Sequence, residues 1–227
     1  MLHTNTASPE LLKVLRQLME VEALKDFRLV GGTALALQLG HRESIDIDLF
    51  SSNYFPAEQI CDEITQKFNL PERIRDRGGI MIMARINDVK VDIIDDKKKF
   101  IRNVVLEDGI RMAHAEEISA MKIKTTCDPF SGRKTQKDLV DIATLLEKYS
   151  LRQMMEFFRE KYPTMAPYYE NVILLLNRDW EKAERNSKMP KMFSKLTWET
   201  TQQKIEAGLK NYFDGIVNER ERKMKGD

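Results

Sequence analysis

Val30-Gly31-Gly32-Thr33-Ala34-Leu35, followed a short helix later by Ser44-Ile45-Asp46-Ile47-Asp48-Leu49-Phe50, is the stretch on which the reading of this chain turns. The alternation from Ile45 to Leu49 has the period of a β-strand. It predicts Ile45, Ile47 and Leu49 on one face and Asp46 and Asp48 together on the other. Two carboxylates side by side on a strand repel each other unless a cation sits between them. The glycine pair stands directly before a helical segment, where backbone N–H groups and the helix dipole attract phosphate. Taken separately, a D-x-D on a strand end reads as solvated surface, and a Gly-Gly before a helix as a turn. In this order and at this spacing they read as a phosphate cradle beside metal-holding carboxylates, which is the equipment of nucleotidyl transfer.

Composition bounds the rest. The 227 residues give room for one large or two small domains. A chain that is 42% hydrophobic and 32% charged folds rather than staying disordered. The net charge of +1 creates no global field for a nucleic acid, so any such surface is local. Cys61 and Cys127 make no disulfide framework and suit a reducing compartment. Met1 to Asn5 is polar with no apolar signal core behind it, and no stretch approaches the roughly 20 apolar residues of a bilayer span. The expectation is a cytoplasmic protein without a membrane partner.

Outward from the opening stretch, Ser8-Pro9-Glu10 reads as an N-cap, a first helical position and a first-turn acid, with Leu11, Leu12, Leu15, Leu18 and Met19 on one face. Phe27 to Val30 is a short strand leading into Gly31. Thr33 to Leu39 is a nearly all-apolar helix that Gly40 is placed to cap. A helix follows Pro56, and Ile80 to Ile86 is a strand. Asn87-Asp88 is a hairpin turn, and Val89 to Ile94 returns. On that return Val89, Val91 and Ile93 share a face, while Asp92 projects from the other beside Lys90 and is the natural third carboxylate. From about Ala113 the pattern is helical: Glu116–Thr126, Thr135–Tyr149, Leu151–Lys161, Tyr168–Asn177 and Thr197–Asn218. Arg185 to Lys195 reads as a basic loop broken at Pro190, and the charged tail from Glu219 as frayed.

The run G-G-T-A-L-A-L followed by R-E-S-I-D-I-D-L-F closely resembles the first motif of the nucleotidyltransferase fold shared by the DNA polymerase beta superfamily. Within that superfamily it looks most like the AbiEii/AbiGii group of abortive-infection toxins. The resemblance covers roughly residues 28 to 148. It implies an α+β fold. A small mixed sheet with flanking helices over residues 1–112 forms the catalytic domain. An all-helical region over 113–227 completes the nucleotide site and offers a place for the acceptor. On this likeness Asp46, Asp48 and Asp92 hold Mg2+ (or Mn2+) and act in catalysis, while Gly31, Gly32 and Thr33 contact phosphate. Ser44, on the same strand face, orients a carboxylate or a phosphate oxygen. Downstream, Lys122 and the run Arg133-Lys134-Thr135-Gln136-Lys137-Asp138-Leu139-Val140-Asp141 resemble the family's later motifs. Lys122 then neutralises the triphosphate, and Asp138 or Asp141 holds it or the base, with Lys137 and Arg133 assisting. Which lysine reaches the nucleotide stays open, and charge patterning alone reads this run as a solvated helix face.

The function expected is transfer of a nucleoside monophosphate from an NTP to an acceptor hydroxyl. The resemblance further implies a toxin of a toxin–antitoxin pair in phage defence, with RNA such as tRNA as acceptor and a cognate antitoxin as partner. Lysines from Lys122 to Lys137, with Arg185, Lys188, Lys191 and Lys195, are the candidate RNA surface. Two alternatives stay open: nucleotidylation of a protein or small molecule, and a non-catalytic nucleotide- or partner-binding module. The presence of all three acids argues against the module. His3, His41 and His114 receive no role, and Cys61 and Cys127 read as buried thiols.

Overall fold

The structure is a computed structural model that describes residues 1–128, 134–168, 173–178 and 180–225. Arg133 and part of the expected Tyr168–Asn177 helix lie outside these. The chain forms two compact units, one of Met1–Ile118 with Lys191–Ser194, the other of Ser119–Pro190 with Lys195–Asp227.

In the first unit the strands are β1 (Arg28–Leu29), β2 (Asp46–Ser51), β3 (Met81–Ile86), β4 (Val89–Asp95), β5 (Val105–Glu107) and β6 (Ile110–Met112). They make one mixed sheet in the order β3-β4-β2-β1-β6-β5. The central pair β2 and β4 is parallel, and its outer neighbours β1 and β3 run antiparallel. Asn87 and Asp88, at φ +47 and +64, make the two-residue turn between β3 and β4, with Ile86 paired to Val89. Both centres in the left-handed region match the twist of a hairpin, and Asn and Asp adopt that region readily. A second hairpin, β5 to β6 around Asp108-Gly109, is one the sequence reading did not anticipate.

Period-two alternation then divides the sheet into two faces. Ile47, Leu49, Ile82, Ile86, Val91 and Ile93 are fully buried on one. Helix α1 (Pro9–Met19) packs against β2, β4 and β6, and α3 (Ala57–Lys67) against β3. Helix α1 starts as its sequence dictates: the Ser8 hydroxyl oxygen accepts from the Leu11 N–H at 3.1 Å, with Pro9 at the first helical position. Ile45 departs from expectation. It is 68% exposed because the ladder with β4 begins only at Asp46, opposite Lys90, leaving Ile45 ahead of the paired strand. Helix α2 (Gly31–Leu39) starts two residues earlier than Thr33 and closes on Gly40, whose φ of +68 gives the left-handed cap.

The expected basic loop is partly ordered into the first unit. The Phe193 and Ser194 N–H groups donate to the His41 carbonyl at 2.9 and 3.0 Å, and the Glu43 N–H donates to the Lys191 carbonyl at 2.8 Å.

Helix α4 (Ala115–Cys127) runs from the first unit into the second. The second unit continues with α5 (Gln136–Leu145), α6 (Leu151–Lys161), α7 (Trp180–Asn186) and α8 (Trp198–Lys225). Thr135 caps α5, which stops at Leu145, short of the expected Tyr149. A Ser150/Gln153 capping box opens α6. Helix α8 continues to Lys225, so the tail expected to fray is helical. An Arg152–Glu219 ion pair at 2.6 Å ties that end to α6. Gly208 lets α8 approach closely, since a Cβ there would lie 3.1 Å from Leu146 Cδ1. Among the described residues no helix is long and apolar enough to cross a membrane.

Cys61 and Cys127 are both free and buried, as the sequence suggests. Burial pushes the Cys127 thiol up from 9.0 to about 12, against the opposing charge of Lys134. The native thiol therefore holds its proton more tightly than the unfolded one. The resulting stability is intact below pH 9.0 and is lost as pH rises towards about 12. Denaturant unfolding between pH 8.5 and 11 should lose about 1.4 kcal/mol per pH unit above the unfolded thiol's pKa, and Cys127→Ala should remove that slope.

Candidate active site

The β2–β4 register sets Asp46 opposite Lys90 and Asp48 opposite Asp92. In a parallel pair, residues in register point to the same face. Asp46, Asp48 and Asp92 therefore share the face turned away from the apolar core, with strands about 4.8 Å apart and alternate residues about 6.6 Å apart along β2. All three are half-buried.

The glycine loop faces this cluster. A Cβ on Gly31 would lie 2.7 Å from Asp48 Oδ2, and Gly31 has φ +68, so a side chain there would be strained and would push the Asp48 carboxylate aside. A Cβ on Gly32 would overlap the Arg42 guanidinium and reach within 3.4 Å of Ser44 Oγ. Thr33 is buried; its hydroxyl donates to the Asp46 carbonyl and lies 2.8 Å from the Ser44 hydroxyl. Thr33 and Ser44 thus pin the start of α2 to the start of β2, which fixes where the first N–H groups of the helix stand.

Two residues at this face were given no role from the sequence. Arg42 is 3% exposed and its Nη1 donates to the Glu43 carbonyl at 2.9 Å, which places a buried guanidinium against Gly32. The available signal was a cation in the short link between the helix-capping Gly40 and the acidic strand. Lys90 is the other. Its Nζ stands 2.5 Å from Asp92 Oδ2. Burial works to lower the Lys90 pKa, but the hydrogen bond to Asp92 and the charges of Asp92, Asp46 and Asp48 outweigh it and leave the pKa raised. The alternation that turned Asp92 outward also put Lys90 on its face, so this pairing was legible.

Whether the face suits a divalent cation can be tested on its atoms. The donors are hard carboxylate oxygens, which Mg2+ prefers. Asp92 Oδ1 is buried with no hydrogen-bond partner among the described residues, an acceptor with unused capacity. Lys90 already brings a positive charge there. Among the described residues no group of three His, Cys, Asp or Glu side chains is arranged to hold an ion as it stands. The donor chemistry fits, and Asp92 is turned to Lys90 instead.

The family profile described as "Nucleotidyl transferase AbiEii toxin, Type IV TA system" matches residues 13–219. The chain belongs to the AbiEii toxin family. It is accordingly a nucleotidyltransferase toxin of the type IV toxin–antitoxin class. An uncharacterized protein of Aquifex aeolicus (strain VF5) is 24% identical over 156 residues, 66% of this chain and 73% of that one. The crystal structure of JHP933 from Helicobacter pylori superposes with a TM-score of 0.51 at 16% identity, covering 96% of this chain and 95% of that one. A candidate nucleotidyltransferase from H. pylori gives 0.51 at 15%, covering 92% and 94%. Both share the α+β fold.

The second cluster of this AbiEii toxin lies in the second unit. Lys122 Nζ on α4 is 2.7 Å from Asp138 Oδ1 and 2.6 Å from Asp141 Oδ2, both on α5. Asp138 and Asp141 are three residues apart and so share a helix face. Asp138 also meets the capping Thr135 hydroxyl at 2.5 Å. Lys137, on the same helix, is half-buried. The cluster is not the solvated face that charge patterning suggests, because Lys122, Asp138 and Asp141 are all buried. Lys134 is buried too, its Nζ donating to the Leu176 carbonyl at 3.1 Å and to those of Leu175 and Arg178. The expected basic surface from Lys122 to Lys137 therefore loses Lys122 and Lys134 to the interior. Arg185, Lys188, Lys191 and Lys195 are exposed.

Gly31→Ala should keep the fold by circular dichroism yet lower nucleotide transfer about 100-fold, because displacing Asp48 by even an ångström misaligns the site. Lys122→Met should cost about 3–5 kcal/mol in urea unfolding by removing the cation that both buried carboxylates meet, with Lys122→Arg recovering part of it.

Proposed function

We propose that this toxin transfers a nucleoside monophosphate to a hydroxyl of RNA, tRNA foremost, at the face of Asp46, Asp48 and Asp92, with Mg2+ (or Mn2+) as cofactor. One observation carries this reading: Asp48 and Asp92 pair in register beside Asp46, with Gly31 pressed against Asp48. Asp46, Asp48 and Asp92 would hold the cation, which when bound offsets triphosphate charge and acidifies the acceptor hydroxyl. Asp92 takes the proton from that hydroxyl. The acceptor oxygen bonds to the α-phosphorus as its bond to the β-phosphate oxygen breaks and pyrophosphate leaves. The N–H groups of Gly31, Gly32 and Thr33 receive phosphate oxygens at the start of α2. Ser44 acts through Thr33, keeping the helix start against β2.

In the same reading Lys122 neutralises nucleotide phosphate, Asp138 or Asp141 holds that lysine or the base, and Lys137 assists. The exposed Arg185, Lys188, Lys191 and Lys195 meet the RNA backbone. The cellular partner is a cognate antitoxin.

The test is incubation with each α-labelled NTP, Mg2+ and total RNA. Label should enter RNA, and Asp46→Asn or Asp92→Asn should reduce it to background while leaving the fold intact. Label on protein or a small molecule instead would reassign the acceptor, and no transfer from any NTP would sink the reading.

A further inference from the structure

The acidic face is already served by a cation of the chain itself. Lys90 lies two residues before Asp92 on β4 and opposite Asp46 in the β2 register, so it stands on the same face as the three acids. Its ammonium is 2.5 Å from Asp92 Oδ2, while Asp92 Oδ1 is buried and has no hydrogen-bond partner among the described residues. The Lys90 side chain is 43% exposed and that of Asp92 is 15% exposed. The lysine therefore reaches in from solvent on a flexible stem, and the carboxylate is held near the interior. A compact, strongly hydrated ammonium on four rotatable carbons is easily withdrawn into water, as a guanidinium locked in a bidentate fork is not.

We infer that Lys90 is a resident counter-ion of this face: it holds Asp92 in the metal-free protein and is displaced when a divalent cation enters. The inference rests on the metal-dependent reading above and adds a role for a residue outside that mechanism. Two consequences follow from charge alone. Entry of the cation requires release of the Lys90–Asp92 pair and brings like charges together, so Lys90 weakens metal binding. Without metal, Lys90 offsets repulsion among Asp46, Asp48 and Asp92, so it stabilises the empty face.

The test compares full-length wild type, Lys90→Met and Lys90→Arg by calorimetric titration with Mn2+ and Mg2+, and by thermal unfolding in EDTA and in saturating Mg2+. Lys90→Met should bind the ion at least about fivefold more tightly, the equivalent of a half-exposed ion pair no longer broken. It should also unfold at lower temperature in EDTA, and the gap to wild type should close in Mg2+. Lys90→Arg should keep the metal-free stability and bind the ion no better than wild type. Equal or weaker metal binding by Lys90→Met would overturn this inference and leave the metal-dependent reading standing. No binding by any of the three proteins would overturn both.

Discussion

The parallel, in-register pairing of β2 with β4 is the constraint from which the rest of the acidic face follows. It puts Asp48 beside Asp92 and Asp46 beside Lys90, and a slip of one residue would send those side chains into the core. Two carboxylates about 5 Å apart repel by about 3 kcal/mol at an effective dielectric of 20, so the arrangement is adverse by itself. Lys90 offsets part of this repulsion, and the opposite face anchors the strands. Ile47, Leu49, Val91 and Ile93 are fully buried, and each such side chain contributes about 1.5–3 kcal/mol. The same alternation that supplies the apolar anchor on one side imposes the acid cluster on the other. The cost of the cluster is thus met within the same strands.

The two lysine–aspartate groups show how burial turns one chemistry to different ends. Lys122 meets Asp138 and Asp141 with its side chain 10% exposed, while Lys90 meets Asp92 with 43% of its side chain in solvent. Breaking a buried pair strands a charge in low dielectric, whereas an exposed partner is replaced by water or another cation at small cost. The α4–α5 lysine is therefore a structural lock unless a phosphate replaces its acids directly. The β4 lysine is exchangeable as it stands.

Local chemistry was legible wherever a residue's neighbours in sequence determine its surroundings. The Ser8 cap, the Asn87-Asp88 turn, the Gly40 cap and the outward direction of Asp92 all follow from spacing and residue type. The β5–β6 hairpin carried an Asp-Gly turn signal of the same kind, but three-residue strands offer too little alternation to stand out. Non-local facts were not legible. Ile45 fits the strand pattern, yet it is exposed because the ladder with the partner strand begins one residue later. Lys122 and Lys134 look like solvated cations until α5 and the backbone carbonyls near Leu175 close over them. Helix α8 keeps its charged end, where Arg152, distant in sequence, pairs with Glu219.

The glycine loop shows why such non-local ties matter to chemistry. The Val30 N–H donates to the Asp48 carbonyl at 2.9 Å, the Ser44 N–H to the Thr6 carbonyl at 2.8 Å, and the His3 N–H to the Leu37 carbonyl at 2.8 Å. Lys191 to Ser194, arriving from nearly 150 residues downstream, brace His41 and Glu43 on the link between α2 and β2. Each tie engages backbone or hydroxyl groups around the loop, and none engages the N–H groups that begin α2. Donors fixed before a phosphate arrives need no ordering when it binds, so their full attraction goes to the anion. A loop of glycines alone would be floppy and expensive to order. Here the flexibility that lets Gly31 fit against Asp48 is removed by its surroundings, and what is left is a helix start held in place beside an acidic strand.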